Sequence, residues 1–188
     1  MPFRECKFAL SSDAKLKVGI VWAGSPKRRK DNQRSCSLSD FIRFLDVPGI
    51  GEDPTHQAEY TALYKSLVPE LDLVLWAIKA DDRNYASGLD AYAEVFNQEK
   101  TTPVIFVITQ TDKTNDLEDW DHQEYKPGGS QLGNIAIKEN DVSKRFGVST
   151  KNIISIAVSK KGKSHNLKSL VYLVVEVADN DDFAGHGS

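Results

Sequence analysis

The chain has 188 residues, 40% hydrophobic and 27% charged, with a formal net charge of -3. That is enough for one domain with a sizeable core, and the charge argues against a protein whose main task is to coat nucleic acid or an anionic membrane. Met1 to Lys7 carry charges where a secretory leader needs an apolar core, and no run approaches the ~18 apolar residues of a membrane span, so a cytoplasmic location without a membrane partner is expected.

Residues 1–16 are mixed and unperiodic and read as an irregular lead-in. Cys6 and Cys36 share no metal-ligand spacing and read as reduced thiols. Lys17–Val21 reads as a short buried strand. The polar stretch that follows, with the basic cluster Lys27 to Lys30, has no hydrophobic period and reads as a solvated loop, or as a contact for phosphate or RNA. Phe41 to Val47 is a second strand, stopped by Pro48 and Gly49. A helix is expected next, with Asp53 as N-cap, Pro54 at its first position, and Tyr60, Leu63, Tyr64 and Leu67 at helical spacing before Pro69 closes it.

Leu71 to Ile78 is nearly continuous apolar and short, as a central parallel strand should be. Asp81 and Asp82 after it read as a helix-capping pair, or as a cation site. A second helix carries Leu89, Tyr92, Ala93 and Phe96, and Pro103 to Ile108 is the next strand. Residues 114–133 look like an exposed insertion. A weaker helix covers Ile135 to Phe146, with Gly147 beyond its end. Ile153 to Val158 is the last strand, and Leu167, Leu170, Val171, Val174, Val175 and Ala178 set out a final helix before a polar tail, 179–188. Alternation at this pace predicts an α/β domain over 17–178: a parallel sheet with helices on both faces.

Three strand ends carry chemistry. Asp46 sits where ligands of open α/β sheets bind. Its carboxylate can hold Mg²⁺ through water, and Gly49 offers an amide with no Cβ to keep an anionic oxygen away. Thr109-Gln110-Thr111-Asp112 ends in an acid able to accept from the N1-H and 2-amino group of guanine, a donor pair that adenine lacks; it can equally be a loop acid or helix cap. Ser159-Lys160 after the last strand can bring backbone amides to a base carbonyl. His56, His122, His165 and His186 form no metal-ligand spacing, and no Ser or Cys stands in a nucleophile motif.

In this order, Asp46-Val47-Pro48-Gly49, Thr109 to Asp112 and Ser159-Lys160 resemble a GTPase of the translation-factor class. With Pro69 to Arg83, the chain from 41 to 175 looks like the prophage-associated 50S-ribosome-binding GTPases, akin to the Era type. The resemblance implies a P-loop-NTPase-like fold. By that pattern Asp46 is the water-mediated Mg²⁺ ligand, Gly49 the γ-phosphate sensor and Asp112 the guanine reader. Gln110 lines the base pocket where the family has Lys, and Ser159 with Lys160 closes over the base. Guanine nucleotide is the implied ligand, Mg²⁺ its cofactor, and the ribosome or its RNA a partner by resemblance alone.

The departures are as specific. G-x-x-x-x-G-K-[ST], whose amides and Lys hold the β- and γ-phosphates, does not occur before Asp46, and Pro26 in Gly24 to Lys30 has no amide hydrogen to donate. Only 19 residues separate Val21 from Phe41, about half of what a phosphate loop, helix, switch and strand need. The N-terminal part of the fold is therefore degenerate. Thr109 stands where the family has Asn and cannot supply both donor and acceptor. The expectation is a guanine-nucleotide-binding protein with weak or lost hydrolysis; the alternative is a nucleotide-free remnant, an interaction module or decaying prophage product. A sheet lacking strands beside Phe41–Val47 would also expose an edge for a second copy.

Overall fold

The computed structural model describes residues 16–23, 42–47, 49–50, 56–83, 85–96, 102–115 and 117–184. The lead-in 1–15, the basic cluster Lys27 to Lys30, Pro48, Asp53 and Pro54 lie outside them.

Strands β1 (Leu16–Ala23), β2 (Ile42–Asp46), β3 (Leu73–Lys79) and β4 (Val104–Thr109) are joined by β7 (Ile153–Ser155) in a five-stranded sheet of order β2-β1-β3-β4-β7. Every pairing in it is parallel. Two short antiparallel hairpins lie beside it: β5 (Trp120–Asp121) with β6 (Lys126–Pro127), and β8 (Ala157–Val158) with β9 (Ser164–His165). The helices are α1 (Gln57–Leu67), α2 (Ala86–Phe96), α3 (Gly129–Phe146) and α4 (Leu167–Ala184).

The alternation of side chains along β3 and β4 divides the core in two. Val74, Trp76, Ile78, Phe106 and Ile108 meet Tyr64 of α1, Tyr92 and Phe96 of α2, and Val142 and Phe146 of α3. Leu73, Leu75, Ile105 and Val107 face the other way, onto Leu170, Leu173, Val174 and Val177 of α4. From β2 the chain steps across the sheet in one direction to β7, and right-handed crossovers then put α1, α2 and α3 on a single face. That face is aromatic. The Trp76 ring is 5.3 Å from Tyr92, 6.1 Å from Phe106 and 6.3 Å from Phe146, and Phe106 and Phe146 stand 4.9 Å apart.

Four expectations change. Residues 114–133 are not simply exposed: Trp120 and Tyr125 are buried there, and α3 starts at Gly129 rather than Ile135. The last strand does not run unbroken from Ile153 to Val158, because after Ser155 the chain leaves the sheet to form the β8–β9 hairpin. Helix α1 begins at Gln57, after His56, with no side-chain cap. Helix α4 continues to Ala184, into the segment read as a tail.

Candidate functional site at the carboxyl rim of the sheet

Because all five strands run parallel, their carboxyl ends share one rim. From β1 the chain moves outward to β2 and returns past β1 to β3. The β1/β3 junction is therefore the topological switch point, where such sheets open a crevice for ligands.

Asp46 is the last residue of β2, level with Ile20, which is in turn level with Leu75 and, through it, Ile105. Thr109 is level with Lys79, four positions further along. Asp46 thus stands roughly 13 Å short of Thr109 along the strands and roughly 14 Å across them at the backbone. The chain then climbs toward the rim: the Val47 amide donates to the Ile20 carbonyl at 3.4 Å, and Gly49 and Ile50 are buried.

The loop after β4 is held at every turn. Gln110 takes the left-handed conformation (φ 59), unfavourable for a residue with a Cβ, and so bends the chain sharply out of the strand. The Lys113 ammonium donates to its side-chain oxygen, and the Lys113 amide to its carbonyl at 2.9 Å. Thr111 is fully buried, its amide donating to the Ile156 carbonyl at 3.2 Å. Thr109 is buried as well, its hydroxyl donating to the Ile78 carbonyl at 3.4 Å. Gln110 and Asp112 keep partial exposure. Of the tetrapeptide, these two have side-chain surface to offer a ligand, while the two threonines bind the loop to the sheet.

Ser159 and Lys160 lie in the β8–β9 turn. The Ser159 amide donates to the Lys163 carbonyl at 2.8 Å, and its hydroxyl accepts from the Lys163 amide at 2.9 Å. The Ser159 amide is thus spent within the hairpin, while Lys160 is exposed.

On the β3 side, the Ala80 amide donates to the Thr109 carbonyl at 2.9 Å. The loop beyond is pinned to α3, where the half-buried Lys138 donates to the Asp82 carbonyl and lies 4.7 Å from the centre of the Tyr85 ring. Arg145 lies 5.2 Å from the same ring and is paired with Asp141 at 2.8 Å. Burial lowers the Lys138 pKa, against the pull of Asp82 and Asp141. Burial likewise raises that of Tyr85, with help from the Asp141 and Asp82 carboxylates.

Sequence reading missed the supports contributed by 117–131. Asp119 accepts from the Ser130 amide at 2.9 Å and the Gln131 amide at 3.1 Å, capping α3 from outside the helix. The fully buried Gln131 reaches back from that first turn to the Thr114 carbonyl at 3.4 Å. Trp120 packs edge-on against Tyr125 at 5.3 Å and His165 at 5.7 Å, joining the two hairpins. Trp120 and Tyr125, isolated aromatics in a polar stretch, were the available signal. Among the described residues no group of three or more His, Cys, Asp or Glu could hold a metal ion, and Asp46 is described by its backbone alone.

No protein-family model matches the chain. It is 44% identical over 73 residues to the uncharacterized protein YfjP, and 41% identical over 100 residues to the uncharacterized protein YkfA, both of Escherichia coli strain K12. These matches take in 39% and 53% of this chain but 25% and 31% of the relatives, so the chain spans about a third or less of their length. Among solved structures it is similar to Era in complex with MgGDPNP and nucleotides 1506–1542 of 16S ribosomal RNA, with a TM-score of 0.56 and 21% identity, covering 86% of this chain and 56% of that one. A single-substitution variant of Aquifex aeolicus Era bound to GDP.AlF4- gives a TM-score of 0.54, again at 21% identity, over 87% of this chain and 57% of that one. The domain therefore has the α/β fold seen in Era, a parallel sheet with helices on both faces, and a likeness at this identity shows the fold alone.

Proposed function

We propose that the chain binds a guanine nucleotide with Mg²⁺ along the carboxyl rim of its sheet, and hydrolyses it slowly or not at all. The observation that carries the reading is the braced loop after β4, which leaves a partly exposed carboxylate, Asp112, beside the switch point of a sheet folded as in Era. In this reading Asp112 accepts from the N1-H and 2-amino group of guanine, and Gln110 lines the base pocket. Thr109 and Thr111 act through the backbone they hold, and Ser159 with Lys160 borders the base. Asp46 carries Mg²⁺ through water, and Val47, Pro48 and Gly49 meet the phosphates. Bound Mg²⁺ would neutralise charge developing on the phosphates. Without G-x-x-x-x-G-K-[ST] before Asp46, amides and a lysine that supply much of the phosphate affinity are missing, so binding is weak.

The same missing motif supports the second reading, a nucleotide-free domain that serves as an interaction module. Titration with a fluorescent GDP or GTP analogue and Mg²⁺ separates the two. A saturable signal is expected, and none up to millimolar concentration would remove the nucleotide reading. Where binding is seen, Asp112→Asn moves preference from guanine toward xanthine nucleotides, because the new amide donates where xanthine accepts. An unchanged preference would mean that Asp112 does not read the base. Contact with ribosomal RNA and a cytoplasmic site of action extend the proposal by likeness to Era. Self-association through the β2 edge belongs to it too, and sedimentation velocity tests that part.

A further inference from the structure

The β8–β9 hairpin is held to the rest of the molecule at its base. The Ile156 amide donates to the Ile108 carbonyl at 2.8 Å, and the Ile156 carbonyl accepts from the Thr111 amide at 3.2 Å. Ala157 is fully buried and clusters with Trp120 and Tyr125, and His165 meets Trp120 edge-on at 5.7 Å. Beyond these contacts the tip, Ser159 to Lys163, is exposed from Lys160 onward and closes on itself. There the Ser159 amide donates to the Lys163 carbonyl at 2.8 Å, and the Gly162 amide to the Ser159 carbonyl at 3.1 Å. Among the described residues, the bond that carries the tip to another segment is made by the Lys163 ammonium, which donates to the Gln123 carbonyl at 2.6 Å. Gln123 is a fixed acceptor, because its amide and that of Glu124 both donate to the Asp121 carboxylate, at 2.8 and 2.9 Å.

We infer that Lys163 is a positioning residue: by tying the tip to the β5–β6 hairpin it sets where the tip's amides stand against the carbonyl of a bound guanine, an inference that rests on the nucleotide reading above. The Ser159 amide is spent inside the hairpin. Among the described residues, the Lys160 and Lys161 amides meet no acceptor in the protein, so they are the donors the tip can offer. The β8–β9 pairing that carries them spans two residues on each side, and a two-stranded hairpin is marginal in water by itself. A tip so supported keeps one direction only where a second segment restrains it. Lys163 supplies that restraint through its side chain and leaves the tip's donors unoccupied.

The test is titration of the full chain in Mg²⁺ with GDP and with its 6-thio analogue, for the parent, Lys163→Met and Lys163→Arg. The analogue keeps the N1-H and 2-amino donors and replaces the carbonyl oxygen by sulfur, a weak acceptor. The affinity ratio of the two therefore reads the tip contact, and the change in protein charge cancels from it. Lys163→Met keeps the stem and removes the donor. It is expected to lower the GDP-to-6-thio-GDP ratio about two- to tenfold, the span of one hydrogen bond, and Lys163→Arg to restore it. An unchanged ratio, or equal loss for both nucleotides, would overturn the inference. If the parent binds neither nucleotide at millimolar concentration, it is the nucleotide reading that fails, and the tie is judged without ligand, by amide hydrogen exchange. Lys163→Met should then speed exchange at Ser159 and Gly162 about two- to tenfold and leave Ile156, at the base of the hairpin, as it is in the parent. Equal exchange at the tip in both proteins would overturn the tie.

Discussion

Gly128 offers a test whose sign should reverse with background. Its φ of -78 is open to any residue, so conformational freedom is not the reason a glycine stands there. Space is: a Cβ would fall 2.1 Å from Oδ1, 2.3 Å from Cγ and 2.4 Å from Oδ2 of Asp119. The carboxylate would have to swing away and give up the Ser130 and Gln131 amides, leaving the α3 N-terminus uncapped. Gly128→Ala should therefore destabilise by about 1–2 kcal/mol, the usual cost of a lost N-cap, or about 2–4 °C in Tm per kcal/mol for a domain of this size. Asp119→Ala should cost about the same. In the Asp119→Ala background the obstacle is gone, and Gly128→Ala should stabilise by about 0.4–1 kcal/mol by restricting the unfolded chain. Urea denaturation of the four proteins gives the cycle. A Gly128→Ala effect of the same sign and size in both backgrounds would refute the steric account. Gln131, in the turn that frays, holds Thr114, so on the proposed nucleotide reading affinity should fall with Gly128→Ala as well.

Phe106 is fully buried at the centre of the aromatic face, and Phe106→Ala should cost about 3–5 kcal/mol in chemical denaturation; a loss under about 1 kcal/mol, well below that range, would mean that the core is not packed as described. Burial, followed by the Asp141 and Asp82 carboxylates, raises the Tyr85 pKa above its ordinary 10.0. The folded chain then holds that proton more tightly than the unfolded one, so the Tyr85 contribution to stability is flat below about pH 10 and falls above it. Tyr85→Phe should reduce that fall without abolishing it, since Tyr92 and Tyr125 shift the same way, and an unaltered alkaline limb of the unfolding profile would count against it. His165 is lowered from 6.5 by burial, so its contribution is complete above about pH 6.5 and is lost as pH falls through the folded value. With its ring 5.7 Å from Trp120, protonation should quench indole fluorescence with a midpoint below the ordinary 6.5. A midpoint at or above that value, or a transition that survives His165→Gln, would refute it.

The strands were readable because their signal is local. Leu73 to Ile78 is apolar throughout, and the structure buries it on both faces of a central strand. Helix periodicity found α1 and α2 for the same reason. Where reading failed, the missing partner was remote. Helix α3 starts early because Asp119, eleven positions before Ser130, caps it, and no helical period records a cap supplied from another segment. The final strand broke because Ala157 and Val158 pair with residues of a hairpin rather than with β4.

The rim was half legible. Asp46, Gln110 and Asp112 were identified as residues ending apolar runs, and an acid or amide at a strand end is visible in one dimension. What the chain does with them was settled in three: Thr109 and Thr111 turn inward, the Ser159 amide closes its own hairpin, and Tyr125 packs onto Trp120 in a segment that reads as solvent-exposed. Composition and periodicity determine which segments bury and in what order they follow. The direction in which a side chain points at the end of a strand depends on a hydrogen-bond partner far along the chain, and only the folded arrangement selects that partner.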